Sequence, residues 1–390
     1  MNQKRIMLIA GETSGDILAA ELVKALRAAS PSSLEFFGAG GPKMAEAGVE
    51  LAFDLTQHSV IGLSWMKKLF EFRRLFNELV ALALEKRPDV IIGVDYNLFN
   101  LRFAEAIKEH VRNIPALNWN PKLVKYISPQ VWASRPARAE KMARDYDLLL
   151  SIFPFEKDWY AKRVPNLRVE FVGHPIVDRY AGFTIDDLRL TRESVSDTSI
   201  VDRQSQILLL PGSRVGELKK HLPVMLEAAK QISAKQSVQF KMVLPDEKLQ
   251  QLAVSACAPL TNSQIQIGGL AESLSQATLA IASTGTVTME CAYFGVPTIA
   301  IYKMSPITYQ IGKRIVQVKF LAMPNLLANQ LVFPEFIQHE ATAENISREA
   351  IDLLNSPERR GAIKSKLVKI VESLGNPGAS KRAAKAILSL

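Results

Sequence analysis

Cysteine, clustered histidine and long apolar runs are what this sequence has least of. Cys257 and Cys291 are its two cysteines, which leaves no disulfide framework and no four-thiolate zinc site. The five histidines are scattered without metal-ligand spacing, so we expect no bound metal. No apolar run approaches a membrane span, and the first, Ile6–Ala10, is too short for a secretory signal. We therefore expect a cytoplasmic protein, with attachment to a membrane surface left open.

The composition is that of a soluble globular protein with an excess of positive charge. The 390 residues are 48% hydrophobic and 22% charged, enough chain for two domains, and the net charge is +9. This charge indicates an anionic partner: nucleic acid, anionic lipid or a phosphorylated substrate. We exclude nucleic acid, because no helix-turn-helix, RNP or zinc-finger pattern occurs and the basic residues are dispersed.

Short apolar runs alternate with helical patterns along the chain, beginning with a strand at Arg5–Ala10. This alternation predicts an α/β protein with parallel sheets. A polar stretch from Thr184 to Ser205 interrupts it. We therefore predict two Rossmann-like domains, 1–185 and 206–365, with a linker at 186–205 and a C-terminal helix at 366–390.

The clearest functional pattern is a strand, Ile207–Leu210, followed by a turn and a helix. In the turn, Gly212 permits close approach of a ligand, Ser213 offers a hydroxyl and Arg214 offers a planar fork of donors. The helix N-terminus adds free N–H groups and partial positive charge. Such a corner suits a phosphate or diphosphate. The alternative is an ordinary strand-to-helix turn with an exposed arginine.

A second corner of the same kind follows the strand predicted at Thr278–Ala282. Ser283, Gly285 and Thr286 open a helix there, and Glu290 lies one turn in, where it can accept hydrogen bonds from ribose hydroxyls. Two anion corners in one domain favour a nucleotide diphosphate.

In the first half, polar loops follow the strands at Arg5–Ala10 and Val90–Val94. Glu12 and Asp16 lie in one loop, and Asp95 opens the other, Asp95–Asn100. Open α/β sheets bind ligands at such strand ends. The glycines of Gly38–Gly41 lack the spacing of a dinucleotide fingerprint, so we predict no NAD and no other cofactor.

The stretch Trp65–Leu79 predicts an amphipathic helix that is both aromatic and basic. Such a helix suits a membrane surface, although a core-facing helix with snorkelling cations has the same pattern. The residues predicted to contact lipid are Trp65, Lys67, Lys68, Phe72, Arg73, Arg74 and Phe76.

Taken together in order and spacing, nine motifs resemble the lipid-A-disaccharide synthase family over nearly the whole chain. They are AGETSGD (Ala10–Asp16), FFGAGGPKM (Phe36–Met44), DYNLFN (Asp95–Asn100), YISPQVWA (Tyr126–Ala133), PFEK (Pro154–Lys157), VGHP (Val172–Pro175), LLLPGSR (Leu208–Arg214), STGTVTMEC (Ser283–Cys291) and PNLLANQ (Pro324–Gln330).

The resemblance implies a glycosyltransferase-B-like fold and a metal-independent, inverting transfer in lipid A biosynthesis. The donor would be UDP-2,3-diacylglucosamine, with its UDP held by the second half. The acceptor would be 2,3-diacylglucosamine 1-phosphate (lipid X), received by the first half. It also implies attachment to the anionic cytoplasmic face of the inner membrane and leaves a homodimer open. Donor-side residues carried over are Arg214, Glu290 and Asn325.

Two positions depart from the family pattern. The family usually has a second aspartate three residues after Asp95, where this chain has Leu98, and it often has tryptophan where this chain has Ser134. Because leucine cannot accept a proton, we assign the general base to Asp95, with Glu12 second. The alternatives are a UDP-sugar epimerase or a transferase of soluble sugars on the same fold, and a non-catalytic basic protein.

Overall fold

The computed structural model describes residues 3–56, 65–114, 118–182, 205–257 and 262–390, with the backbone alone at 65–70, 256, 257, 307 and 311. The chain forms two compact units. The first unit comprises Met1–Asp178 together with Leu374–Leu390, and the second comprises Arg179–Ser373.

The first unit contains one parallel sheet of seven strands, in the order β3-β2-β1-β4-β5-β6-β7. The strands are β1 (Lys4–Ala10), β2 (Leu34–Gly40), β3 (Glu50–Asp54), β4 (Val90–Val94), β5 (Lys122–Tyr126), β6 (Leu148–Ser151) and β7 (Val169–Phe171). The helices are α1 (Thr13–Ala29), α2 (Pro42–Glu46), α3 (Trp65–Lys86), α4 (Asn97–Asn113), α5 (Val131–Ser134), α6 (Arg138–Asp145), α7 (Pro154–Ala161) and α8 (Pro175–Arg179), whose last residue begins the second unit.

The second unit contains a parallel sheet of six strands, in the order β10-β9-β8-β11-β12-β13. The strands are β8 (Ser205–Leu210), β9 (Val238–Leu244), β10 (Ser263–Ile267), β11 (Leu279–Ser283), β12 (Thr298–Tyr302) and β13 (Glu335–Ile337). The helices are α9 (Val215–Ser233), α10 (Glu247–Cys257), α11 (Leu270–Gln276), α12 (Thr286–Tyr293), α13 (Pro306–Ile315), α14 (Met323–Ala328), α15 (Ala343–Asn355) and α16 (Pro357–Ser373).

Both sheets have the Rossmann-like order, which confirms the predicted fold class. Their central strands are apolar and fully buried, as parallel strands covered by helices on both faces must be. In the first unit α1 packs on one face of the sheet through Leu18 and Leu22, and α4 packs on the other through Phe99 and Phe103.

The buried side chain of Asp16 binds the turn between β2 and α2. Its carboxylate is buried and accepts three backbone N–H groups, from Gly41 (2.9 Å), Lys43 (2.9 Å) and Met44 (3.0 Å). A carboxylate at the N-terminus of α2 is favourable because the free N–H groups and the helix dipole meet it there. The sequence predicted Asp16 in a loop, but it lies in the first turn of α1, and its contacts give it a structural role in holding the turn between β2 and α2.

The last helix, α17 (Ala379–Leu388), packs on α1. Ala383, Ala384 and Ile387 belong to the same core cluster as β1 and β4. The sequence predicted a separate terminal helix and gave no indication of its partner. The predicted linker at 186–205 lies outside the described residues except for Ser205, the first residue of β8.

Within the described part of the chain, no helix is both long and apolar enough to cross a membrane.

Truncating Ile387 should destabilise the first unit, although this residue is far from the unit's other residues in sequence. Ile387 is fully buried, so Ile387→Ala should lower the free energy of unfolding by about 2–5 kcal/mol. All four tryptophans, Trp65, Trp119, Trp132 and Trp159, belong to the first unit, so tryptophan fluorescence in urea reports its unfolding.

The matched control is Ile232→Ala, an equally buried isoleucine of α9 in the second unit. The tryptophan transition should move to lower urea in Ile387→Ala and stay in place in Ile232→Ala. Equal shifts in the two variants would contradict the assignment of α17 to the first core.

Candidate active site

The first anion corner lies between β8 and α9, as the sequence predicts. Gly212 has φ +122°, and a Cβ there would collide with the side chain of Glu217, so only glycine fits. The Glu217 carboxylate accepts the N–H of Ser213 (3.1 Å) and pairs with the exposed guanidinium of Arg214 (3.4 Å). Glu217 thus occupies donors that a phosphate would use.

The second anion corner lies between β11 and α12. Gly285 precedes the helix with φ +145°, and the hydroxyl of Thr288 donates to its carbonyl (2.7 Å), which closes the first turn. Strand β11 pairs directly with β8, with Ala282 opposite Leu210. The two corners are therefore neighbours at the position where the strand order reverses, which is where open α/β sheets bind ligands.

Glu290 lies in the second turn of α12 with its side chain only 12% exposed. One oxygen accepts the Tyr180 hydroxyl (2.8 Å), and Arg179 lies 3.6 Å away. Burial raises the pKa of this carboxyl, and these two partners oppose the increase. A carboxylate held in this way has a fixed orientation, as recognition of a sugar hydroxyl requires.

A cavity of about 860 Å³ is bounded by both corners. This volume is in the range of small-molecule sites. All seven residues predicted for nucleotide binding line it: Gly212, Ser213, Arg214, Ser283, Gly285, Thr286 and Glu290. The sequence did not predict other residues that line the cavity, which include Tyr302, Tyr309, Lys313, Val316 and Lys319.

His221 contacts the backbone of the first corner through its buried imidazole ring. It is fully buried on α9, its Nδ1 lies 2.8 Å from the carbonyl of Pro211, and its Nε2 accepts the N–H of Lys303 (3.0 Å). These partners assign the neutral ring with the proton on Nδ1, and burial lowers its pKa. The ring therefore ties the β8 turn to the segment after β12.

Asn325, carried over as a donor-side residue, lies in helix α14 of the second unit and is fully buried. Its amide donates to Phe333 (2.8 Å) and Glu335 (2.7 Å), and its carbonyl accepts the N–H groups of Val332 (2.9 Å) and Phe333 (2.7 Å). These four hydrogen bonds fix the segment that precedes β13. Asn325 is not among the residues that line the cavity.

In the first unit, Glu12 and Asp95 lie on adjacent loops. Strands β1 and β4 pair directly, with Ala10 opposite Val94. Both residues are half-buried, and the charge of Glu12 adds to burial in raising the pKa of Tyr96, the residue after Asp95. Among the described residues no side-chain hydrogen bond or ion pair occupies the Asp95 carboxylate.

A buried cation lies beneath Asp95. Lys125 on β5 is fully buried and donates to the backbone carbonyl of Asp95, which also accepts the amide of Asn100 (2.8 Å). Burial lowers the pKa of Lys125 to about 8, and the Asp95 charge opposes this decrease. Asp95 and Tyr96 both have φ +44°, an uncommon conformation for residues with side chains. The two donors hold this strained backbone in place.

The sequence predicted a loop at Asp95–Asn100, but α4 begins at Asn97. Leu98 therefore lies in the first helical turn, with 53% of its surface exposed.

Two matched motifs of the first unit serve its core. The Trp132 indole of YISPQVWA donates to Glu156 of PFEK (3.0 Å), and the Glu156 carboxyl is fully buried. Burial raises the pKa of Glu156 to about 7. This hydrogen bond joins the two motifs inside the first unit.

The predicted lipid-contacting helix corresponds to α3. Phe72 and Phe76 pack edge-on against Phe99, with centroids 5.1 and 5.5 Å apart, so these two residues serve the core. Arg73 and Arg74 are exposed. The side chains of Trp65, Lys67 and Lys68 lie outside the described part.

Within the described residues, no group of three or more His, Cys, Asp or Glu side chains gathers as metal ligands.

The fold and the cavity define a class, the glycosyltransferase-B-like proteins with two Rossmann-like domains. The structure of UDP-GlcNAc 2-epimerase from Neisseria meningitidis bound to UDP-GlcNAc superposes with a TM-score of 0.66 at 11% identity, covering 99% of this chain and 100% of that one. The structure of a putative UDP-N-acetylglucosamine 2-epimerase from Listeria monocytogenes superposes with a TM-score of 0.64 at 15% sequence identity. The match covers 100% of this chain and 96% of that one. At these identities the likeness shows the fold alone.

The family is narrower. The family model for lipid-A-disaccharide synthetase matches residues 6–389. The lipid-A-disaccharide synthase from Trichlorobacter lovleyi is 37% identical to this chain, over 99% of this chain and 97% of its own length. The lipid-A-disaccharide synthase from Persephonella marina is 36% identical, over 99% of both chains. The chain belongs to the lipid-A-disaccharide synthase family, which confirms the resemblance and does not favour an epimerase or a transferase of soluble sugars.

The Glu217–Arg214 pair predicts opposite effects of two charge-removing variants on UDP binding. Arg214→Gln should raise the Kd for UDP about tenfold or more, because it removes a charge-assisted contact worth about 1.5–3 kcal/mol. Glu217→Gln should lower the Kd, because a neutral amide still accepts the Ser213 N–H but no longer repels a diphosphate. Isothermal titration calorimetry at two salt concentrations measures both.

The two effects should shrink together as salt increases. Weaker UDP binding in Glu217→Gln would show that this carboxylate organises the corner more than it repels the ligand.

Proposed function

We propose that the protein condenses UDP-2,3-diacylglucosamine with 2,3-diacylglucosamine 1-phosphate, releasing UDP and a β-1,6-linked disaccharide 1-phosphate. Family membership supports this reaction. The observation that carries it is the cavity of the second unit, where two helix N-termini, Arg214 and Glu290 meet in a volume suited to a nucleotide sugar.

In this reaction the acceptor 6-hydroxyl attacks the anomeric carbon of the donor. The bond to the diphosphate breaks with its electron pair, so negative charge grows on the departing UDP. Donors aimed at that charge accelerate the step because they stabilise the transition state more than the ground state. In this proposal Arg214 and the N–H groups after Gly212 and Gly285, all of which border the cavity, would stabilise that charge once the phosphate replaces Glu217 as their partner.

The experiment that tests the function is mass spectrometry of the products after incubation with both acylated sugars in EDTA. We expect a disaccharide 1-phosphate and an equal amount of UDP. Loss of activity in EDTA that Mg²⁺ restores would contradict the metal-independent mechanism. A C2-epimerised donor would favour an epimerase, and bound donor without turnover would favour a binding protein.

We propose Asp95 as the general base that takes the proton of the 6-hydroxyl. Its half-buried carboxylate is next to the β1 loop, and Lys125 and Asn100 fix its backbone. Lys125 is thus a positioning residue in this proposal. Glu12 is the second candidate because its loop flanks the same strand ends.

Asp95→Asn should lower kcat roughly a hundredfold or more, because asparagine keeps the volume but cannot accept the proton. Steady-state kinetics gives kcat, and calorimetry should give an unchanged Kd for UDP. The matched control is Glu12→Gln on the neighbouring loop, which should retain most of the activity. The opposite ranking of the two variants would transfer the role to Glu12.

We also propose that the protein binds the anionic cytoplasmic face of the inner membrane through α3. Phe72 and Phe76 are used by the core, so the described part of this surface is the basic one at Arg73 and Arg74. Each cation near an anionic surface contributes about 1 kcal/mol, which gives weak, reversible attachment.

Replacing Lys67, Lys68, Arg73 and Arg74 with glutamine should abolish sedimentation with phosphatidylglycerol vesicles at low salt. Phosphatidylcholine vesicles are the control, since they lack net charge. Undiminished binding by the fourfold variant would place the membrane surface elsewhere.

A further inference from the structure

Three arginines of the first unit come together between α4 and α6. Arg102 lies in the second turn of α4, and Arg135 and Arg138 border the turn that joins α5 to α6. The N–H of Arg138 donates to the carbonyl of Arg135 (3.0 Å), and α4 packs on α6. Partial burial, followed by the charges of Arg135 and Arg102, lowers the pKa of Arg138, so the Arg138 guanidinium is close enough to be repelled by the other two.

In the part of the chain that the structure describes, no acidic side chain pairs with this cluster. Among the described residues none of the three guanidinium groups donates a hydrogen bond or forms an ion pair. The acid one turn beyond Arg102 is Glu105, which already pairs with Lys141 and with Arg144 (3.1 Å). One turn before Arg102 the helix has Leu98, which is exposed. Like charges held together in this way favour a bound anion.

The cluster lies beside the proposed acceptor site. Strands β4 and β5 pair directly, and α4 and the α5–α6 turn follow their carboxyl ends. Arg102 lies five residues into α4, about 7.5 Å along the helix axis from its first residue, and Asp95 lies two residues before that start. An anion here would thus be near the proposed base without touching it.

We propose that Arg102, Arg135 and Arg138 form a subsite for the phosphate monoester of the acceptor, with exposed Leu98 alongside an acyl chain. This inference rests on the transferase function proposed above. Guanidinium groups bind phosphate through paired N–H donors, and a monoester carries more charge than the diester of a membrane lipid. The subsite would select acceptors that carry the phosphate.

The test compares the phosphorylated acceptor with the same lipid lacking its phosphate. In the triple variant Arg102→Gln/Arg135→Gln/Arg138→Gln, the KM for the phosphorylated acceptor should rise at least tenfold, which is about 1.4 kcal/mol. The KM for the donor and the rate with the dephosphorylated acceptor should stay unchanged. Arg163→Gln, which removes an arginine packed on Trp159 in the same unit, is the matched control and should behave as wild type.

Binding of soluble glucosamine 1-phosphate, followed by calorimetry, tests the subsite without turnover. The wild-type protein should bind it, the triple variant should not, and glucosamine itself should bind neither. If the wild-type protein transfers no sugar but shows this pattern, the proposed function fails and the phosphate subsite stands. If transfer occurs but the triple variant still prefers the phosphorylated acceptor as wild type does, the subsite is wrong.

Vesicles distinguish the two sources of phosphate. If the cluster binds membrane lipid, the triple variant should lose sedimentation with phosphatidylglycerol vesicles and keep its KM for the acceptor, which would overturn the subsite. If it binds substrate, sedimentation should persist while KM rises.

Discussion

The reversal of strand order in each sheet is the constraint on which the site depends. The chain passes from β1 toward β2 on one side and from β4 toward β5 on the other. Helices α1 and α4 therefore cover opposite faces of the sheet. The loops that precede these helices diverge from each other, which leaves a crevice at the carboxyl ends of the adjacent strands β1 and β4. In the second unit β8 and β11 form the same arrangement, and the two anion corners are located there.

Loops at such gaps have few neighbours, and buried polar side chains hold them instead. Lys125 and Asn100 hold the left-handed backbone of Asp95, and His221 holds Pro211. All three side chains are buried. Losing one of their hydrogen bonds would leave a buried polar group unsatisfied, which costs about 1–3 kcal/mol for a neutral group and more for a charged one. The surrounding core thus holds in place the backbone segments that border the two proposed binding sites.

The sequence predicted what depends on local pattern and missed what depends on distant partners. Short apolar runs such as Val90–Val94 gave strand positions to within two or three residues, because a buried parallel strand must be continuously apolar. The loop predicted at Asp95–Asn100 was wrong from Asn97 onward, because asparagine, which favours turns, also occurs in the first turn of a helix. Nothing local marks Lys125 as buried, since lysine normally indicates an exposed position. Glu217 had a signal that could have been used: an acid three residues after the start of a helix often folds back on its N-terminus.

The distribution of charge separates the two ligand surfaces. The cavity of the second unit is lined by Arg214, Lys313 and Lys319 but also by Glu217 and Glu290, so its charges nearly balance. In the proposed reaction a diphosphate would therefore be held largely by oriented N–H groups, which recognise geometry as well as charge. Among the residues that the structure describes, the arginine cluster of the first unit has no acidic partner, and such a cluster would favour the ligand with the most concentrated negative charge. A balanced donor cavity and an unbalanced acceptor surface would help to keep two similar acylated sugars apart, because the acceptor's terminal monoester satisfies the arginines better than the donor's internal diphosphate.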